Sequence, residues 1–204
     1  MLKKIFAIAL LSLCFSAIAA DKIEPPTFDQ DARNPPPTIA LKAFQRFELR
    51  PVAMNAPWKG KSSNDEALVG LQNNVNLRAN PIVEEWNAMP ASEQARTLVI
   101  EPEITYVHFV TGGKRFFGGA SLGDSVVVVK MRLTDATTGE VIAEPTFYQK
   151  ANKFGAVFSY GATDKHMLIR ISAMIADYLR SNYESPVGSF ISIAPGHEAE
   201  LGDK

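Results

Sequence analysis

Asp124-Ser-Val-Val-Val-Val-Lys-Met-Arg-Leu-Thr-Asp135, then Ala136-Thr-Thr-Gly139, then Glu140-Val-Ile-Ala-Glu-Pro-Thr-Phe-Tyr-Gln149, is the stretch on which the fold turns. Its first arm is a β-branched run that settles into alternation. Val127, Val129, Met131 and Leu133 fall on one face, and Val128, Lys130, Arg132 and Thr134 on the other, which is the period of a strand with one buried face. Asp135 to Gly139 reads as the turn, because Asp favours the first position of a type I turn and Gly139 tolerates the left-handed conformation before a strand resumes.

Upstream, Thr97 to Val110 reads as another strand, with Leu98, Ile100, Ile104 and Tyr106 sharing one side with Pro102. Proline donates nothing to a sheet ladder, so Pro102 marks an edge or a bulge. Between the two strands lies the Gly-rich loop 111–123. Downstream, Asp164 to Tyr183 places Met167, Leu168, Ile171, Ile175, Tyr178 and Leu179 on one helical stripe, with Thr163 as the N-cap. Nearer the start, Leu41 to Val52 alternates as a strand that ends at Pro51. Ser63-Asn-Asp-Glu66 has the pattern of a capping box, in which Ser63 and Glu66 each serve the other's amide, and it opens a helix through Leu68, Leu71 and Val75. Asn80-Pro81 starts a further short turn through Trp86.

The order is strand, helix, strand, loop, strand, turn, strand, helix. A crossover through a helix suits parallel pairing, whereas short connections suit antiparallel neighbours. The fold class expected is α/β, a two-layer sandwich with a mixed sheet of about four to five strands and two main helices on one face.

At the beginning, Met1-Leu-Lys-Lys4, the apolar run Ile5 to Phe15 and the small residues before Asp21 make a secretory signal peptide over 1–20, cut after Ala19 or Ala20. Cys14 is the single cysteine. Leu13 before it is a poor fit to a lipid-attachment site, so Cys14 leaves with the peptide and the location expected is the periplasm. Without Lys3 and Lys4, 19 basic residues face 22 acidic ones, a net charge of −3, which makes nucleic acid a poor partner. The expected organisation is a Pro-rich extended linker at 21–38, one domain at 39–183 and a tail at 184–204. In that tail Ser189 to Ala194 alternates like a short edge strand.

Chemistry is thin in this sequence. Gly118 to Gly123 has the glycine spacing of a phosphate-binding loop, but Asp124 stands where the lysine belongs and a strand follows instead of a helix. His108, His166 and His197 have no spacing that puts two on one face for a metal. Ser159 in Val157-Phe-Ser-Tyr-Gly161 lacks the first glycine of a nucleophile elbow. Glu101 and Glu103, paired on one strand face, read as solvation. No catalytic, cofactor-binding or metal-binding residue and no cofactor is assigned. The alternative readings are a periplasmic, hydrolase-like enzyme and a nucleotide- or phosphate-binding domain. Lys114, Arg115, Phe116 and Phe117, two cations and two aromatics between glycines, have the composition of a contact surface for a protein or a membrane.

The run Phe116 to Glu144, with its Gly-rich stretch, valine-rich strand and Asp135-Ala-Thr-Thr-Gly-Glu140 turn, and the later Ile171 to Leu179, resembles an uncharacterised family of bacterial cell-envelope proteins. The resemblance covers roughly Thr97 to Tyr183. It implies a periplasmic or lipid-anchored domain of α/β sandwich type, similar in outline to envelope assembly factors. The resemblance transfers no catalytic residue. The thin catalytic inventory and the Gly-rich loop 111–123 favour a non-catalytic binding or assembly module that meets an envelope protein or a membrane surface, and a homo-oligomer is compatible with that reading.

Overall fold

Strand-forming and helix-forming stretches alternate in the chain, and their apolar faces can be buried together only by laying helices across a sheet. The computed structural model describes residues 23–29, 31–109, 125–151 and 162–194, without the side chains of 162–164. The segment 1–20 expected to be a signal peptide, with Cys14, the Gly-rich loop with Lys114, Arg115, Phe116 and Phe117, and Ser159, His197 and the cap expected at Thr163 lie outside what is described. In chain order the elements are β1 (Arg33–Asn34), β2 (Arg46–Leu49), β3 (Ala53–Met54), α1 (Ser62–Arg78), α2 (Asn80–Asn87), β4 (Thr97–His108), β5 (Ser125–Asp135), β6 (Val141–Ala143), β7 (Thr146–Ala151), α3 (Ala162–Glu184) and β8 (Ser189–Phe190).

The expected two-layer sandwich forms. Strand β4 pairs in parallel with β2 and β3 and antiparallel with β5, which in turn pairs antiparallel with β6 and β7. Six strand segments thus fill four lanes. Proline explains both breaks. Pairing of β2 ends at Leu49 against Ile100 and that of β3 resumes at Ala53 against Glu103, so Pro102 stands opposite the gap, where no donor is needed. Pro145 splits the second arm of the hairpin into β6 and β7, and its carbonyl still accepts the Met131 N–H at 2.9 Å. The first strand is correspondingly shorter than the alternation from Leu41 to Val52 suggests, because Leu41–Ala43 is a 3-10 turn.

The inward face carries Leu98, Ile100, Ile104, Val127, Val129, Met131, Leu133 and Phe147, all at 0% exposure. Over it lie α1, through Ala67, Leu71 and Val75, and α3, whose stripe of Met167, Leu168, Ile171, Ile175, Tyr178 and Leu179 is buried as its spacing requires. The two helices meet at Gly70, where a Cβ would stand only 2.9 Å from Leu168 Cδ1. The capping box does not form. Lys61 takes the N-cap position without a side-chain bond, and Asp65 Oδ1 instead accepts the Gly60 N–H at 3.3 Å.

The hairpin turn is held by Asp135. Its Oδ2 accepts from Arg96 Nη2 at 2.6 Å and Nε at 3.0 Å, its Oδ1 accepts the Thr137 N–H, and the Arg96 guanidinium lies 4.6 Å from the Phe44 ring centre. The bonds from Arg96 and then from the Thr137 backbone hold the Asp135 carboxyl below its ordinary value. Gly139, at φ +74°, closes the turn by donating to the Asp135 carbonyl at 2.8 Å.

Within the stretch read as a Pro-rich extended linker at 21–38, the described residues Ala32 to Thr38 fold back onto this body, as do Ser189 to Ile191 of the tail. Strand β1 pairs antiparallel with β8. The Ile191 N–H donates to the Ala32 carbonyl, the Tyr148 N–H to the Ile191 carbonyl and the Thr38 N–H to the Ile142 carbonyl. The patch at Ser189 thus pairs as an edge strand and, with β1, covers the outer edge of β7. An exposed edge invites pairing with other chains, and this one is closed from within.

Candidate functional site

Residues paired across a sheet share a face, so the register lays out the surface opposite the helices. Glu101 pairs with Arg132 and Glu103 with Lys130. Glu144 Oε1 lies 2.9 Å from Arg132 Nε, and its Oε2 lies 3.8 Å from Lys130 Nζ. The expected carboxylate pair therefore faces cations, in a solvated patch where such contacts contribute about 0–1 kcal/mol each.

The next rung is apolar. Tyr106 pairs with Val128, and Val128 with Tyr148. Trp58 extends the row past Tyr106, with ring centres 4.6 Å apart, and Phe28 extends it past Tyr148 at 5.2 Å. This overturns the placement of Tyr106 beside Ile104. The β4–β5 register shifts between Ile104 and Tyr106, so a bulge at Thr105 sends Tyr106 to the outer face and leaves Val107 inward. The bulge is pinned by Trp58, whose Nε1 donates to the Thr105 carbonyl at 2.8 Å. Tyr106 and Tyr148 are 7% and 8% exposed, so this end of the sheet is buried on both faces. Burial, and secondarily the neighbouring Tyr148, push the Tyr106 hydroxyl pKa up, which keeps it a neutral donor.

The last rung joins His108, Val126 and Lys150, and beyond it Ser125 pairs with Ala151. The residues singled out as a contact surface follow this rung in the chain and lie outside the described residues. Segment 110–124, which carries Lys114, Arg115, Phe116 and Phe117, begins just past β4 and ends at β5. Segment 152–161 begins at the end of β7. The described strand ends flanking both segments are neighbours in one sheet. Of the histidines, His108 and His166 are exposed, one ending β4 and the other in α3. Among the described residues no group of three or more His, Cys, Asp and Glu is placed to hold a metal ion. No described helix is long and apolar enough to cross a membrane.

Much of the amide inventory is used in closure. Asn87 exchanges two bonds with Phe47 on the β2 edge, at 2.9 and 2.8 Å, and Gln72 Oε1 accepts the Val52 N–H at 2.7 Å. Asn182 Oδ1 accepts from Val187 and Gly188 while its Nδ2 donates to the Tyr178 carbonyl, ending α3. Inside, Arg170 Nε donates to Gln149 Oε1 at 2.7 Å, and Gln149 Nε2 reaches the Ile193 carbonyl at 3.1 Å. Sequence reasoning missed the aromatic row. Its trace was the unbroken run Val126 to Val129, which one buried face does not require.

No protein-family model matches the sequence, and no curated protein matches it. Solved structures do. A PelC dodecamer from Paraburkholderia phytofirmans is similar at 16% identity and a TM-score of 0.36, over 65% of this chain and 86% of that one. A Xanthomonas campestris protein described by the family model DUF330 is similar at 11% identity and a TM-score of 0.41, over 74% and 94%. A hypothetical protein from Chlamydia trachomatis is similar at 12% identity and a TM-score of 0.34, over 67% and 98%. At these values no residue role passes from those proteins to this chain.

Proposed function

We propose that this chain is an exported, non-catalytic binding or assembly module of the bacterial cell envelope, which meets a partner protein at the sheet end where segment 110–124 departs. The observation that carries the reading is the register of His108 with Val126, Val126 with Lys150 and Ser125 with Ala151. It brings the attachment points of two aromatic-rich, cation-bearing segments onto three adjacent strand ends. One segment supplies Lys114, Arg115, Phe116 and Phe117, and the other Lys153, Phe154, Phe158 and Tyr160. Aromatic anchors ringed by cations are the composition of a protein-contact patch, and glycines let a backbone adapt to a partner. Export rests on the segment from Met1 to Ala20, and the mass of the mature product should correspond to a start at Ala20 or Asp21.

A photocrosslinking residue placed at 116 or 117 in cells tests the contact. The reading expects a discrete adduct with an envelope protein, absent when the same residue replaces the exposed Leu77 of α1. Equal adducts at 116 and 77, none at either, or adducts with lipid alone contradict it.

A further inference from the structure

The chain leading into β1 is held in two different ways. From Ala32 to Thr38 it is bonded to the body by the β1–β8 pair, by the Thr38 N–H to the Ile142 carbonyl, and by the side chain of Asn34, which is 4% exposed. Before Ala32 the attachment changes character. Ile23 to Thr27 are exposed, and among the described contacts of 23–29 the one that reaches the body is the half-buried ring of Phe28, tilted against Tyr148. The arm Ile23-Glu-Pro-Pro-Thr-Phe-Asp29 therefore behaves as an extended peptide ligand seated by one aromatic side chain. Its prolines hold it extended in advance, which lowers the entropy lost on docking.

We infer that the outer-face aromatic row is a seat for a proline-flanked aromatic residue in an acidic, extended segment of a partner protein, and that Phe28 fills this seat in the absence of the partner. The rung Tyr106, Val128 and Tyr148 supplies an apolar floor. The exposed cations Lys130, which lies 3.8 Å from Glu144 and opposite Glu103, and Lys150 stand one rung to either side of it, and the arm itself carries Glu24, Asp29 and Asp31. The firm latch at Asn34 lies beyond Phe28, so the ring can leave the seat while β1 stays paired. Tethering sets the level of competition. Attachment within a few residues of β1 holds Phe28 at an effective concentration of about millimolar, so a partner segment binds only by outcompeting it. This inference does not rest on segment 110–124.

The test uses the mature chain and a fluorescent peptide with the sequence of residues 21–31, read by anisotropy. The Phe28→Ala protein should bind the peptide at least about tenfold more tightly than the unaltered protein, because the tethered competitor is gone. A control peptide with Ala in place of its Phe should bind neither protein. Equal affinity for both proteins, binding to neither, or binding indifferent to the peptide's Phe overturns the inference. Self-association of the Phe28→Ala protein without peptide also overturns it, by placing a second copy in the seat. Should Phe28→Ala fail to fold, Phe28→Leu, which keeps an apolar side chain without a ring, carries the same expectation at smaller amplitude.

Discussion

Asn34 and Thr146, 112 residues apart, exchange two hydrogen bonds: the Asn34 amide nitrogen donates to the Thr146 carbonyl at 2.9 Å, and the Thr146 N–H donates to Asn34 Oδ1 at 2.7 Å. Donor and acceptor on one short side chain are what an open strand edge requires. Through this pair the start of the described chain closes the β7 edge much as another strand would. Replacing Asn34 by Leu leaves both Thr146 groups without these partners, and such groups cost about 1–3 kcal/mol each when buried. Asn34→Leu should therefore lower the free energy of unfolding by at least about 1 kcal/mol in a urea titration.

Gly188 and Gly139 separate backbone strain from steric collision. Both sit at φ +74°, but a Cβ at Gly139 meets open space, whereas one at Gly188 runs into the Asn34 carbonyl oxygen. Gly139→Ala should cost about 1 kcal/mol from the left-handed backbone alone. Gly188→Ala should cost distinctly more and should loosen β1 from β8, seen as faster amide exchange at Phe190 and Ile191.

The helix α3 is the most heavily buried element outside the sheet. Leu168 and Ile171 are 4% and 0% exposed, so truncating either to Ala should cost about 2–5 kcal/mol. Leu77, 72% exposed on α1, provides the contrast, since surface changes of this kind stay within about 0.5 kcal/mol.

Stability should fall at both extremes of pH, for opposite reasons. Burial pushes the Tyr178 hydroxyl well above its ordinary 10.0, so the unfolded chain loses that proton first as pH rises. The contribution of Tyr178 is complete below pH 10.0 and is lost above it, and Tyr178→Phe should flatten this alkaline limb. Asp135 runs the other way. Arg96 holds its carboxyl below 3.8, so its contribution is present above that pH and is lost as pH falls through the lower folded value. Asp135→Asn should make the acid limb shallower.

The parts of the fold readable in advance were those governed by local periodicity. The alternation of Val127, Val129, Met131 and Leu133, the stripe from Met167 to Leu179, and the helical crossover that makes β2 parallel to β4 all carry their own pattern in sequence. What escaped depends on pairing between distant segments. The bulge at Thr105 is set by registry with Val128 and Val129 and by the Trp58 bond, neither of which has a local signature. The Pro-rich stretch at 21–38 has the composition of an extended linker, and the contacts that hold its described residues, those of Asn34 and the β1–β8 pair among them, reach partners more than 100 residues away. The same holds for the site. The cations and aromatics of 114–117 stand out by composition, whereas the row from Phe28 to Trp58 is assembled from five separate stretches of chain.

The double variant Phe116→Ala with Phe117→Ala tests the central claim most directly, with thermal unfolding and partner adducts measured on the same protein. If these rings are anchors for a partner, the midpoint should move by less than about 2 °C, the shift expected for under about 0.5 kcal/mol, while the envelope adduct formed by a photocrosslinker at position 115 disappears. A loss of several kcal/mol in stability would contradict the account by showing that the rings belong to the core, and an undiminished adduct would contradict it by showing that the partner binds without them.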